Sequence, residues 1–360
     1  MTYFYDRNWK CRLTTDLVFR GMQTVVMENR YLRISLLVDK GTDIIEFLYK
    51  PLDLDFMWRS PLGIRNPTHW IPSSARSDGA FLDHYEGGWQ EILPSGGAPA
   101  TYANAEFGIH GEVSLIPWQF QVVEDRPEEV AVRFWVRTYR TPFYIEKTLR
   151  LRENAAVLYI DEQLTNEGEE TLPVMWGHHP GFGRPFLSKE ATIQLPAATV
   201  VVHDPLYHPN SQLQPGYQGA WPFAETPTGE RVDVSKVRDR SASSVELVYA
   251  TDLTDGWAAV VNQQDKIGFG LSFTKDVFKS VWLWQVYGGY TGSPWYGRTY
   301  NLGVEPWTSY PSSGLNAAID NETAVFVPGG ASLTAQLAAV VLRDVSVVET
   351  ITPAGEVEAR

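Results

Sequence analysis

The chain has 360 residues, 44% hydrophobic and 20% charged, which is enough for a sizeable core. Its formal net charge of −13 argues against nucleic acid and anionic membrane surfaces as partners, because both attract basic patches. The lone cysteine, Cys11, excludes an intrachain disulfide; with no secretory h-region and no long apolar run, a cytoplasmic protein is expected.

Alternation with a period of two dominates the chain. Leu32, Ile34 and Leu36 alternate with Arg33 and Ser35 up to the turn at Asp39-Lys40-Gly41, and Asp43–Tyr49 reads as the return strand. The stretch Ser60–Thr101 reads as a long loop that carries Trp70, His84 and Trp89. Glu129–Tyr139, Phe143–Arg152 and Val157–Thr165 follow as strands, the last ending at the turn signal Thr165-Asn166-Glu167-Gly168. Leu172–Trp176 is strand-like and leads into His178-His179-Pro180. Thr192–Val202 reads as one strand, and His203–Ser244 as a second long loop. Val245–Ala250, Trp257–Asn262, Ile267–Phe273, Ser280–Tyr287, Asn301–Val304, Ala324–Val327 and Ser332–Arg343 complete the strands, and the tail Thr352–Arg360 is expected to fray. No long segment has helical periodicity. Many strands with regular turns predict an all-β fold, a large antiparallel β-sandwich, with residues 1–360 as one domain.

Proton-transfer chemistry has two candidate carriers. His178-His179-Pro180-Gly181-Phe182 can supply a general acid, and alternation sends His178 and His179 to opposite faces. Gly303-Val304-Glu305-Pro306-Trp307 can supply a general base, because a partly desolvated Glu305 has a raised pKa. His110 lies between Gly108 and Gly111, where backbone can approach a ligand closely. His203 and His208 sit in the second loop and read as surface residues. No HExxH or CxxC spacing points to a metal, and no GxSxG elbow supports a serine nucleophile. The 13 Trp, 17 Tyr and 16 Phe offer flat faces on which the C–H faces of sugar rings can stack.

Taken in order, Gly87-Gly88-Trp89-Gln90-Glu91-Ile92-Leu93-Pro94, Ile109-His110-Gly111-Glu112, His179-Pro180-Gly181-Phe182 and Gly303-Val304-Glu305-Pro306 resemble the aldose 1-epimerase (galactose mutarotase-like) superfamily. The likeness covers roughly residues 30–345. It implies a β-sandwich with a shallow groove, a small-molecule carbohydrate substrate, no cofactor and no metal. His179 would protonate the ring oxygen, Glu305 would take the anomeric hydroxyl proton, and His110 would hold and polarise the sugar. His178, Glu86, Trp89 and Gln285 are the further substrate-binding candidates.

The chain departs from the family pattern in its recognition residues. Glu86 stands where the phosphosugar branch has an arginine before the Gly-Gly pair, and Val113 and Ser114 stand where a second arginine is usual. Ser95-Gly96-Gly97 has no asparagine–arginine pair, His178 replaces an asparagine, and Gln285 is the expected replacement for an acidic sugar contact. Arg59, Arg65, Arg76, Arg184 and Arg298 lie in segments that could reach the site. The expected activity is anomer interconversion of a free sugar or sugar derivative. The alternatives are a non-catalytic carbohydrate-binding protein, and a glycoside-cleaving enzyme that pairs Glu305 with Glu86, Glu91 or Glu112.

Overall fold

In the computed structural model, residues 10–69 and 79–360 are described. Two large antiparallel sheets carry the chain. The first runs, in spatial order, through Arg12–Phe19, Met22–Glu28, Leu32–Leu37, Asp43–Tyr49, Trp89–Ile92, Gly177–Phe182, Tyr300–Trp307, Ser280–Tyr287, Ser244–Leu253, Ala197–Val202 and Gln218–Ala220. The second runs through Ala191–Gln194, Trp257–Asn262, Ile267–Phe273, Ser332–Arg343, Val157–Asn166, Phe143–Arg152, Glu129–Arg137 and Gln119–Asp125.

Burial follows from the residue pattern. Phe143–Arg152 alternates buried and half-buried positions, as a strand with one face on the core must. Ser280–Tyr287 and Tyr300–Trp307 are buried at every position, so both faces of the first sheet are covered at its centre. One face packs on the second sheet through Val281, Leu283, Leu302, Val304, Phe182 and Phe269. The opposite face carries a separate aromatic cluster with Trp58, Phe81, Tyr85, Trp282, Trp284, Trp295 and Trp307.

Several sequence expectations change. Trp89–Ile92, inside the expected first loop, is a central strand whose polar residues Gln90 and Glu91 have buried partners. That loop also contains a short helix, Gly79–His84, while Trp70 and Arg76 lie outside the described residues. Thr192–Val202 is two strands, because Leu195-Pro196 breaks the ladder and moves the chain from the second sheet to the first. The tail is not frayed: Val357–Ala359 pairs with Val348–Ile351. No helix among the described residues is long and apolar enough to cross a membrane.

Gly177 shows how tightly the central strands approach. A Cβ there would lie 2.2 Å from the Trp307 ring of the adjacent strand. Gly177→Ala is therefore expected to destabilise the protein by about 1–3 kcal/mol, the usual range for overpacking, measured by urea denaturation. An unchanged midpoint would show that the Trp307 ring has room to move.

Candidate active site

The register of two neighbouring strands places the acid–base candidates. Gly177 pairs with Trp307 and Gly181 with Gly303, so the intervening His179 and Glu305 stand opposite one another. Cross-strand partners share one face. His179 Nε2 lies 3.5 Å from Glu305 Oε1, and both side chains are buried. Glu305 Oε2 accepts a hydrogen bond from Trp307 Nε1–H at 3.1 Å, whereas Oε1 has no hydrogen-bond partner. Gly303 makes room for this carboxylate: a Cβ on it would lie 2.3 Å from Oε1.

Both groups line a cavity of about 410 Å³ over the aromatic face of the first sheet. Trp282 and Trp284 form part of its wall, together with Tyr85, Trp295, Tyr207 and Tyr290. Trp282 stacks on Trp307 with ring centroids 4.1 Å apart, which fixes the indole that holds Glu305. Glu305 is the one carboxylate among the described lining residues, and no lysine or arginine is among them.

Burial acts in opposite directions on the two groups, because it disfavours whichever form is charged. It pushes Glu305 up to about 8, against a smaller lowering by the Trp307 N–H, and pulls His179 down to about 4. Between these values the pair holds one proton, carried by the carboxyl. His179 Nε2 faces that carboxyl's unpartnered oxygen across the 3.5 Å gap. The Tyr85 hydroxyl stands 3.2 Å from His179 Nδ1, on the other side of the ring.

His110 also lines the cavity, with its ring centroid 5.1 Å from that of His179. Its backbone is left-handed at φ +60°, uncommon for a residue with a side chain. Two bonds to Gly97 hold it there. His110 N–H donates to Gly97 O at 3.0 Å, and Gly97 N–H donates to His110 Nδ1 at 3.2 Å. A backbone N–H can only donate, so Nδ1 is the acceptor and the neutral ring carries its proton on Nε2. Burial, and then the nearby His179, hold the ring well below its ordinary pKa.

The remaining candidates do not line the cavity. His178 points to the inter-sheet side, where it receives Trp89 Nε1–H on Nδ1 at 3.1 Å and meets Glu162 Oε2 through Nε2 at 3.0 Å. Trp89 is thus occupied in the same place. Glu86 pairs with buried Lys40 at 2.9 Å, alongside Asp43. Gln285 donates to Val234 O on the side away from the cavity. Alternation explains His178 and Gln285: each is one residue from a cavity-lining neighbour, His179 or Trp284.

Other polar candidates are also engaged elsewhere. Glu91 binds Lys147 and the Trp176 indole, and Glu112 accepts the Tyr139 and Arg140 backbone N–H groups. Glu91, Glu162 and His178 offer ligand atoms within 4.8 Å of one another, but the Lys147 ammonium already supplies the cation there. Arg59 pairs with Asp55, Arg65 with Asp83 O, Arg298 with Trp295 O, and Arg184 lies over Tyr300. His203 and His208, both expected on the surface, are buried; His203 lines the cavity, and Tyr85, Tyr207 and Trp295 join it without a recognised motif.

The chain belongs to the family described as a domain of unknown function, DUF4432, whose model matches residues 19–340. No curated protein matches it by sequence. Its fold is shared with a provisionally named aldose 1-epimerase from Klebsiella pneumoniae, at TM-score 0.71 and 17% identity over 93% of this chain and 83% of that one. A galactose mutarotase-like protein from Clostridium acetobutylicum aligns at TM-score 0.63 and 13% identity, covering 93% of this chain and all of that one.

Gly303→Ala is expected to leave the fold intact while displacing the Glu305 carboxylate, which lowers any activity that depends on it; an unaltered rate would show that Oε1 position is unimportant. Glu305 has a separate thermodynamic signature. Its folded pKa lies above the unfolded value, so its burial costs stability as pH rises from about 4.5 to about 8. Glu305→Gln should therefore raise Tm more at pH 8 than at pH 5, and an equal shift at both would contradict the burial effect.

Proposed function

We propose that this DUF4432 protein is an isomerase of the aldose 1-epimerase type, which interconverts the α and β anomers of a free, uncharged sugar. The observation that carries this reading is the His179–Glu305 pair, set opposite one another in a cavity with Oε1 unpartnered. Anomer exchange needs one proton delivered to the ring oxygen and one removed from the anomeric hydroxyl, which such a pair can do.

The sugar's hydroxyls replace some of the missing solvation when they enter the cavity. The proton in the gap then moves from Glu305 to His179 Nε2. Glu305 Oε1 accepts the anomeric hydroxyl proton, His179 Nε2–H protonates the ring oxygen, and the bond between C1 and the ring oxygen breaks. Rotation about C1–C2 presents the other carbonyl face, and the reverse transfers close the ring. The pair ends with the proton it began with. His110 Nε2–H is a fixed donor beside this chemistry, and the Tyr85 oxygen accepts from Nδ1 of the imidazolium.

Charge supports an uncharged substrate. A phosphate or carboxylate on the sugar would be desolvated in a cavity whose described lining has no lysine or arginine, within a protein of net charge −13. Glycoside cleavage by two carboxylates is disfavoured, because Glu86, Glu91 and Glu112 are all engaged away from Glu305.

Proton NMR on freshly dissolved single anomers tests the reading. The protein should accelerate equilibration of neutral aldoses and leave their 6-phosphates at the spontaneous rate. His179→Asn and Glu305→Gln should each lower kcat/KM by about 100-fold or more. Acceleration that survives in either variant would remove that residue from the mechanism. The pH profile of kcat/KM should be a broad bell with limbs at about 4 and about 8. Below the first limb the pair holds two protons and lacks a base; above the second it holds none and lacks an acid. A profile confined to alkaline pH would contradict this inventory.

A further inference from the structure

His203 follows the strand Ala197–Val202 and is anchored by its backbone N–H on Leu247 O at 3.0 Å. It opens the segment that brings Pro205 and Tyr207 to the cavity wall. Its Nδ1 faces the hydroxyl of Tyr249, which lies on the strand Ser244–Leu253. The Tyr249 oxygen also accepts the Ser312 backbone N–H at 2.9 Å. That N–H can only donate, and His203 Nδ1 makes the close contact with the phenol oxygen, so the hydroxyl donates to it. Burial keeps the phenol un-ionised and draws the imidazole below its ordinary pKa, so neither group carries charge at neutral pH. The ring's single proton therefore sits on Nε2, which has no hydrogen-bond partner among the described residues. The imidazole rings of His203 and His110 are thus tied in the same way, each presenting one N–H donor. His203 has no ring or polar contact with His179 or Glu305, so it stands apart from the proton-transfer pair.

We propose that His203 is a specificity-determining residue, whose Nε2–H, held in place by Tyr249, donates to one sugar hydroxyl other than the anomeric one. This deepens the isomerase reading and rests on it for the identity of the ligand as a sugar. A neutral donor suits a hydroxyl acceptor, and its buried position makes the contact selective. A sugar that lacks that hydroxyl leaves the N–H desolvated and unpaired, and so binds more weakly. Tyr249 is the positioning residue, acting through the imidazole.

The test uses the full chain and two probe sets: D-glucose and D-galactose with their 2-, 3-, 4- and 6-deoxy derivatives. Binding is read by quenching of tryptophan fluorescence, since Trp282, Trp284 and Trp295 line the cavity. Wild-type protein should bind one deoxy derivative about 10-fold more weakly than its parent. In His203→Leu that one difference should vanish while the differences at other positions persist. His203→Asn, which keeps a donor, should restore part of it, and Tyr249→Phe should weaken it. A His203→Leu variant that loses affinity equally for every sugar, or keeps the wild-type pattern, overturns the assignment. Position-selective binding with no faster anomer exchange would overturn the isomerase reading and leave His203 in its role. Faster exchange with no His203-dependent selectivity would do the reverse. Absence of binding by every probe counts against both.

Discussion

The antiparallel register between Gly177–Phe182 and Tyr300–Trp307 is the constraint on which the site depends. It sets His179 opposite Glu305 without a loop to position either one. A slip by one residue would turn one of the two toward the second sheet, because side chains alternate between faces. The close approach at Gly177, and the space left by Gly303, tie the same register to packing. Structural stability and placement of the acid–base pair are therefore one property of these strands.

Desolvation gives the pair its chemical character. Trp307 covers Glu305 and donates to one of its oxygens, while Trp282 and Tyr85 enclose the neighbourhood. With little water, the charged forms of both groups are disfavoured and a single proton rests between them. A polar ligand is needed to draw that proton toward the imidazole. The cavity thus favours the neutral form of both groups, and the cost of burying Glu305 is borne by the whole fold.

Much of this was legible in the sequence, for physical reasons. Period-two runs such as Phe143–Arg152 declare a strand with one buried face, and the all-β sandwich follows from their number. Trp89–Ile92 was illegible because a strand with both faces covered has no alternation to read, and its Gln90 and Glu91 look like loop residues until Asp43 and Lys147 are seen beside them. The family motifs pointed to His179, Glu305 and His110, which the fold gathers in one cavity. They also pointed to Trp89, Glu86, His178 and Gln285, which it buries elsewhere. His203 reads as a surface residue in a loop rich in proline and asparagine; its contact with Tyr249, 46 residues away in sequence, and its place in the cavity wall are not visible from that pattern.

Between about pH 4 and about pH 8, Glu305 is protonated and His179 neutral. Isotope-edited infrared difference spectra between wild type and Glu305→Gln measure this directly. A protonated carboxyl band for Glu305 is expected at pH 6, lost as pH rises through about 8 and weakened when a bound sugar draws the proton away. A Glu305 that is fully ionised at pH 6 in the ligand-free protein would contradict it.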